Sequence, residues 1–301
     1  MALTFNTKFE PAHGQAVEVA QGVLRITAPN PSAFTFHGTN SYVVGSDTLA
    51  VIDPGPGIPE HLDALMGAIG DRPVSHIFVS HTHVDHSPLA AALKRRTGAI
   101  VCAEGPHRTA RPLHLGEVNA LDASADTDFV PDRVLADGEL VDGDGWAFRA
   151  IHTPGHTANH CVFALEGTGI LFSADHVMAW ATSIVAPPDG AMGDYMASLD
   201  RMLERDDRLY LPGHGGELDK PKPFLRGLKT HRKMREGAVL ARIRAGDRTI
   251  PDMVRVIYRD IDPRLHGAAG LSVFAHLEDL VAKGLVACET EPSLAAKYRP
   301  G

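Results

Sequence analysis

The sequence predicts an α/β layered domain followed by a smaller, mainly helical module. Up to residue 218, short apolar runs typical of strands alternate with segments of helical spacing and with turns rich in Gly, Pro and Asp. The segment Pro221-Lys222-Pro223 interrupts this alternation, and the apolar residues after it keep helical spacing. We therefore expect a main domain over 1–218, a connecting helix over 219–244 and a small domain over 245–301.

The main domain is predicted to begin with a hairpin and to continue with alternating strands and helices. Residues 41–44 and 48–53 are apolar runs that flank the turn Gly45-Ser46-Asp47. The later elements are predicted in this order: a helix over 59–69, a strand over 74–79, a helix over 88–94, and strands over 99–102, 146–151, 160–165 and 169–172. Strands with interspersed helices are typical of a layered α/β domain.

The C-terminal part is predicted from helical spacing. Apolar residues from Phe224 to Ile243 indicate one long helix that ends near Arg244. Gly284 is expected to end a later helix, because glycine is favoured just past a helix C-terminus. The short elements follow in this order: a helix over 250–258, a turn at 262–263, a helix over 272–283 and a strand over 285–288. Two helices and a strand in this order outline a winged-helix module.

The composition is that of a globular protein with reduced thiols. Hydrophobic residues make up 44% of the chain, which is enough for a core, and there is no run of about 18 apolar residues that would span a membrane. The first residues lack the features of a secretory or transit peptide. The three cysteines have no ligand-like spacing: Cys102, Cys161 and Cys288. We expect a soluble, cytoplasmic protein.

Four potential metal ligands lie within six residues, directly after the predicted strand over 74–79. The segment reads His81-Thr82-His83-Val84-Asp85-His86. Ligands just past a strand end lie on a loop that a rigid element holds in place. Without a cation, four such groups would desolvate or repel one another. The segment therefore predicts a metal-binding loop.

Three further potential ligands follow predicted strands later in the chain. They are His156 in Thr153-Pro154-Gly155-His156, Asp175 in Phe172-Ser173-Ala174-Asp175, and His214 in Pro212-Gly213-His214-Gly215. The glycines beside His214 would let the backbone approach a ligand closely. A single His or Asp after a strand is usually a turn residue, but four such motifs at strand ends together predict one metal centre.

In this order, the motifs resemble those of the metallo-β-lactamase superfamily. The resemblance implies an αβ/βα sandwich with two metal ions at one edge, and it implies seven ligands: His81, His83 and His156 for the first ion, Asp85, His86 and His214 for the second, and Asp175 bridging both. Asp53 in Val51-Ile52-Asp53-Pro54-Gly55 matches an early aspartate that supports the site through hydrogen bonds. Two zinc ions are expected, since Zn²⁺ suits imidazole with carboxylate, and manganese and iron stay open.

The resemblance extends to one branch of that superfamily and covers nearly the whole chain. It includes residues 30–42, the helix with His231-Arg232-x-x-Arg235-Glu236, and the winged-helix tail. This branch joins the hydrolase domain to a C-terminal winged helix and includes an endoribonuclease that acts on single-stranded RNA. Activities within the superfamily differ widely, so fold and metals transfer more safely than substrate.

The implied chemistry is hydrolysis. Two cations about 3.5–4 Å apart would hold a bridging water as hydroxide and polarise a carbonyl or phosphoryl oxygen. Asp85, a ligand that can also hydrogen-bond the nucleophile, is the candidate catalytic residue that orients it and moves a proton. The sequence identifies no acid for the leaving group. His160 and His176, which lie beside ligand motifs, are expected to support the ligands or to pack.

The charge distribution favours an RNA substrate. The segment 219–244 has nine Lys or Arg against two acids, a net charge of +7, in a chain of net charge −8. It begins shortly after His214, so its side chains could guide a phosphate backbone towards the metals, and Arg232 and Arg235 are the candidate substrate contacts. The alternative is that these residues only solvate a long helix.

Three other functions are weighed against the endoribonuclease. A thioesterase of the hydroxyacylglutathione hydrolase type is the main alternative, because such enzymes keep the acid at Asp175. A β-lactamase is disfavoured, because those enzymes have Cys or Ser there. A nucleic-acid-binding regulator is disfavoured because the predicted recognition helix exposes Glu278 and Asp279 with a single lysine, Lys283, so no binding of duplex DNA is expected. A homodimer is left open.

Overall fold

The computed structural model describes residues 3–114, 117, 119, 124–260, 262 and 265–301. Two β-sheets form the centre of the main domain. The first has seven strands in spatial order: β1 (Val17–Ala20), β2 (Val23–Thr27), β3 (Asn40–Val44), β4 (Leu49–Ile52), β5 (Val74–Val79), β6 (Ile100–Ala103) and β7 (Arg133–Val134). The second has six, in the spatial order β13 (Leu218–Asp219), β12 (Leu209–Pro212), β11 (Ile170–Ala174), β10 (Cys161–Leu165), β9 (Ala147–His152) and β8 (Leu140–Asp142).

Six helices and a short hairpin complete the described structure. Their bounds are α1 (Pro59–Ile69), α2 (Leu89–Thr97), α3 (Met192–Glu204), α4 (Pro221–Arg244), α5 (Ile250–Ile257), α6 (His266–Ala282), β14 (Val286–Cys288) and β15 (Tyr298–Pro300). In the part of the chain that the structure describes, none of these helices is long and apolar enough to cross a membrane. Of the predicted turn at 262–263, Pro263 lies outside the described residues.

The layers follow from which faces are apolar. Large aromatic side chains from both sheets meet in the middle: Tyr42, Phe78, Phe148, Phe163 and Phe172. The outer face of the first sheet packs against α1 and α2, and the outer face of the second packs against α3 and α4. The central strands are therefore buried on both faces, which explains their continuous apolar runs. This arrangement confirms the predicted αβ/βα sandwich.

The predicted elements differ from the observed ones mainly in where they begin and end, and one helix and several short strands were not predicted. The helix predicted over 272–283 begins earlier, at His266. The residues before Leu271 are small and include Gly267 and Gly270, so they have no apolar pattern that would predict a helix. Helix α3 was not predicted, although Met192, Tyr195 and Leu199 have helical spacing and are buried. The short edge strands were not predicted either, since strands of two to four residues leave little pattern, and neither was the five-residue strand β2.

The C-terminal module has its own core and also contacts the main domain. Val239 and Ile243 of α4 pack with Met253 and Phe274 of α5 and α6, whereas Leu225, near the start of α4, packs in the main-domain core. One helix thus contributes to both cores. The predicted bounds 1–218, 219–244 and 245–301 stay a proposal about the units of the fold.

One face of α6 is engaged by the main domain. Glu278 accepts a hydrogen bond from Arg111 Nε at 2.9 Å, and Arg111 also pairs with Glu117. His276 is buried, with 1% of its surface exposed. A recognition helix needs an exposed face for the major groove. These contacts engage part of α6 with the main domain, and the absence of duplex-DNA binding stays a prediction.

The topology brings several loops to one edge of the sandwich. Strands β4, β5 and β6 run parallel, so their carboxyl ends share one edge. In the second sheet, β11 and β12 are parallel, and β9 has the same direction because both β9 and β11 are antiparallel to β10. Ligand sites in α/β sheets typically lie at such carboxyl ends.

Candidate metal centre

Asp53 connects the ends of two neighbouring strands and orients one of the predicted ligands. Its backbone has a φ of 47°, an uncommon conformation for a residue other than glycine. Its buried carboxylate accepts hydrogen bonds from the backbone N–H and the hydroxyl of Ser80, both at 2.7 Å, and from His86 Nδ1 at 2.9 Å. Asp53 therefore has the supporting role that the resemblance implied.

Three imidazole nitrogens converge at the end of β5. His81 Nε2 and His156 Nε2 each lie 3.0 Å from His83 Nδ1. Burial lowers the pKa of all three histidines, in the case of His83 to about 3. Neutral imidazole is the form that binds a metal ion. Three neutral nitrogens at this spacing fit a cation that prefers imidazole, such as Zn²⁺.

A second group of potential ligands combines two imidazoles with a carboxylate. Asp85 Oδ2 lies 3.4 Å from His86 Nε2 and 3.3 Å from His214 Nε2. Burial lowers the pKa of His214, but the carboxylates of Asp175 and Asp85 outweigh burial and raise it to about 9. His86 Nε2 is buried without a hydrogen-bond partner among the described residues. A bound cation would satisfy that nitrogen and both carboxylates.

Asp175 lies between the two groups. Its Oδ2 atom is 3.6 Å from His156 Nε2 of the first group and 3.3 Å from His214 Nε2 of the second, and its Oδ1 atom is 3.5 Å from His86 Nε2. The structure thus brings all seven predicted ligands together in overlapping groups. Asp175 is therefore within 3.6 Å of nitrogens from both groups, and its role as a bridging ligand stays a prediction.

Several of the imidazoles have a second partner that sets their orientation. His156 Nδ1 lies 2.7 Å from the Ile184 carbonyl oxygen, and His214 Nδ1 lies 3.2 Å from that of Gly38. Thr39 donates its hydroxyl to Asp85 Oδ2 at 3.0 Å. Partners of this kind fix the ring and tautomer of metal ligands. Sequence reasoning missed these partners, because a backbone carbonyl has no signature in the sequence.

The two other histidines beside the ligand motifs lie behind the site. His160 is buried, and its Nδ1 atom is 2.8 Å from Thr153 Oγ1. His176 is also buried, and its ring centre lies 5.0 Å from that of Tyr195. Both positions agree with the expected supporting or packing role.

Gly213 lies close to two of the candidate ligands. A β-carbon at this position would lie 2.4 Å from Asp175 Oδ1 and 2.8 Å from His86 Cε1. Contacts this short do not occur in folded proteins, so a side chain here would displace two potential ligands. The position before His214 therefore has room only for glycine.

We expect Gly213→Ala to lower metal binding strongly, by displacing Asp175 and His86. The measurement is the number of zinc ions per chain after dialysis, together with thermal unfolding. Gly237→Ala is the matched control, because a β-carbon there has no neighbour within 4 Å and alanine in a helix stabilises by about 0.4–1 kcal/mol. Wild-type zinc content in Gly213→Ala would contradict the assignment of these two ligands.

The two arginines predicted as substrate contacts have partners within the protein. Arg232 is 3% exposed, donates to the Ser183 carbonyl and lies over the Tyr195 ring at 5.1 Å. Arg235 donates to the Ile257 carbonyl at 3.2 Å and lies over the Tyr258 ring at 4.5 Å. The hydrogen bonds of both residues go to backbone carbonyls of the protein itself. Contact of either residue with a substrate stays a prediction.

Comparison with family models gives two matches. The model described as "Metallo-beta-lactamase superfamily" matches residues 34–214. The model described as "Beta-lactamase associated winged helix domain" matches residues 249–293. The first match includes every residue of the candidate metal centre, and the second covers most of the C-terminal module.

Relatives and solved structures agree with these matches. A "Beta-lactamase-like protein 2 homolog" of Drosophila melanogaster is 29% identical over 277 residues, covering 88% of this chain and 90% of the relative. An "Atrochrysone carboxyl ACP thioesterase" of Aspergillus terreus is 29% identical over 233 residues, covering 76% of this chain and 66% of the relative. The fold is similar to that of a beta-lactamase domain protein from Burkholderia ambifaria, with a TM-score of 0.80, 22% identity, and coverage of 97% of this chain and 95% of that one.

Proposed function

The chain belongs to the metallo-β-lactamase superfamily, and from this we propose that it is a two-metal hydrolase that cleaves acyl thioesters. The superfamily and the clustered ligands establish a metal-dependent hydrolase. The number of ions, their identity and the substrate are the proposed part. The observation that supports two ions is the position of Asp175 between both ligand groups.

The residues present fit two divalent ions. His81, His83 and His156 would hold the first, and Zn²⁺ is the natural choice for three imidazoles. The second would be held by Asp85, His86 and His214, with Asp175 shared. Bound there, the ions would supply Lewis-acid activation of water and of the scissile carbonyl.

Asp85 is the acid best placed to handle a proton. Its side chain is 20% exposed, against 9% for Asp175, so it is the more accessible carboxylate of the site. Its Oδ2 atom is held by the hydroxyl of Thr39. A carboxylate at the mouth of the site can orient an attacking water and accept its proton.

The choice of a thioester rests on how the basic helix is paired. Lys222 and Lys229 form ion pairs with Asp206 and Asp200, and Arg242 pairs with Asp247 at 2.7 Å. The guanidinium groups of Arg232 and Arg235 are bound to backbone carbonyls. Three of the nine basic residues are therefore paired with acids and two more are bound to carbonyls within the fold, so these five are less available to a phosphate backbone. The A. terreus relative, described as a thioesterase, supports the same choice.

An endoribonuclease remains the second candidate. Four basic side chains of α4 and of the residue just before it are exposed and have no ion pair among the described residues: Lys220, Arg226, Lys233 and Arg244. A single strand of RNA could contact such residues along its backbone. This observation is weaker, because the structure does not show these side chains near the metal ligands.

The test offers the zinc-loaded protein four substrates side by side: a hydrophobic acyl thioester of N-acetylcysteamine, an acylglutathione, single-stranded RNA and a β-lactam. We expect thiol release from the acyl thioesters and its loss in the His83→Ala variant. His83 Nδ1 lies 3.0 Å from both His81 Nε2 and His156 Nε2, so this variant removes the central nitrogen of the first group. RNA cleavage that requires His83, without thioester turnover, would replace the proposal. RNA cleavage that survives His83→Ala would indicate a contaminating nuclease.

A further inference from the structure

The segment from His176 to Ile184 is tied to both ligand groups of the metal centre. It starts directly after Asp175, and near its end Ser183 Oγ donates to the Asp175 carbonyl oxygen at 2.5 Å. The next residue, Ile184, provides the carbonyl oxygen that lies 2.7 Å from His156 Nδ1. The position of this segment therefore decides which way His156 faces.

Two residues from helices outside the sheets hold this segment. Tyr195 of α3 donates its hydroxyl to the His176 carbonyl at 3.0 Å. Arg232 of α4 donates Nη2 to the Ser183 carbonyl, and its guanidinium lies over the Tyr195 ring at 5.1 Å. Hydrogen bonds from a charged donor are about twice as strong as neutral ones. The charged donor thus acts at the end of the segment that supports His156.

Burial makes this contact expensive to lose. Arg232 is 3% exposed, and its Nε atom has no hydrogen-bond partner among the described residues. A buried guanidinium needs its remaining partners to offset desolvation. The Ser183 carbonyl would also be left without its charged donor if Arg232 were replaced. The Ser183 carbonyl would then be free to move, and the backbone of Ile184 would move with it.

We propose that Arg232 is a positioning residue for the first metal ion: it fixes the Ser183–Ile184 backbone so that His156 Nε2 points at His81 and His83. The role goes beyond the proposed function, since it concerns how the site is held rather than what is cleaved. It rests only on the metal-binding part of that function. It also means that α4, which lies outside the segment 34–214 matched by the superfamily model, completes the metal centre.

A purely structural role makes a different prediction. If Arg232 only joins α4 to the main domain, its replacement lowers the free energy of unfolding but leaves metal affinity unchanged in the folded protein. If it positions His156, one of the two ions is bound more weakly in protein that is still folded. Replacing an outer partner of a metal ligand typically weakens metal binding about 10–100-fold.

The experiment measures zinc affinity by competition with a chromophoric chelator, and the visible spectrum of the cobalt-loaded protein. For Arg232→Gln we expect one ion to bind about 10–100-fold more weakly and the cobalt spectrum to change. Arg232→Lys should show a smaller loss, because lysine keeps the charge but not the planar fork. Arg235→Gln is the matched control: it removes an arginine of the same helix with the same kinds of contact, to Ile257 and Tyr258, and should keep wild-type zinc affinity.

An Arg232→Gln variant that is folded and has wild-type zinc affinity and the wild-type cobalt spectrum overturns the proposal. If Arg232→Gln does not fold, the Arg232→Lys variant decides by the same criterion. An equal loss of affinity in Arg235→Gln would also overturn it, since the effect would then follow from loss of any arginine of α4. Failure of the wild-type protein to bind metal would overturn the proposed function, and this role with it.

Discussion

The Asp85→Asn variant is expected to turn over substrate about 10²–10⁴-fold more slowly than the wild-type protein at saturating metal. The asparagine keeps the size of the side chain and one oxygen that can accept the hydroxyl of Thr39, which lies 3.0 Å from Asp85 Oδ2. It cannot accept a proton from water. The loss should appear in kcat, because the proton is moved in the chemical step rather than on binding.

Metal content must be measured in the same preparation, because Asp85 Oδ2 also lies 3.3 Å from His214 Nε2 and belongs to a potential ligand group. Thr39→Val is the matched control: it leaves the carboxylate in place and removes only the group that orients it, so a much smaller loss is expected. An Asp85→Asn protein that contains two ions and has wild-type kcat would exclude Asp85 as the catalytic residue.

Removal of metal is expected to destabilise the protein substantially. The site brings imidazoles and carboxylates together in the interior, and two atoms of the potential ligands have no hydrogen-bond partner among the described residues: His86 Nε2 and Asp175 Oδ1. An ion that binds only the folded protein stabilises it in proportion to the logarithm of its concentration, by about 4 kcal/mol at a thousand times Kd.

The measurement is the unfolding temperature after dialysis against a chelator and at increasing zinc concentrations. We expect the unfolding temperature to fall with the chelator and to rise steadily with added zinc. Asp175→Ala removes the shared ligand and should flatten the dependence on zinc. An unfolding temperature that the chelator does not change, in protein shown to have contained zinc, would contradict the proposed site.

The clustering of the candidate metal ligands could be predicted because its signal is local. His81, His83, Asp85 and His86 follow one strand directly, and each later ligand follows another strand. Side-chain chemistry and the apolar run before it are both visible in a few residues of sequence. The order of the motifs then gave the resemblance, and with it the sandwich that the structure has. The residues of α3 have an amphipathic pattern of the same local kind.

The groups that hold the ligands could not be predicted in this way. The carbonyl of Ile184 binds His156 although 28 residues separate them, and the carbonyl of Gly38 binds His214 across 176 residues. Any residue type provides such a carbonyl, so only the path of the backbone decides which one is near. The close approach at Gly213 likewise depends on where Asp175 and His86 come to lie.

The fold class, the residue types of the candidate metal centre and the position of each candidate ligand after a strand could be read from the sequence, because these depend on short stretches of chain. The environment of each charged residue of α4, in contrast, depends on the three-dimensional fold. Arg232 and Lys229 are similar in sequence terms, yet one is buried beside Ser183 and the other pairs with Asp200. Burial and pairing arise from contacts between distant segments, and these contacts set whether a cation is available to a ligand or is already used within the fold.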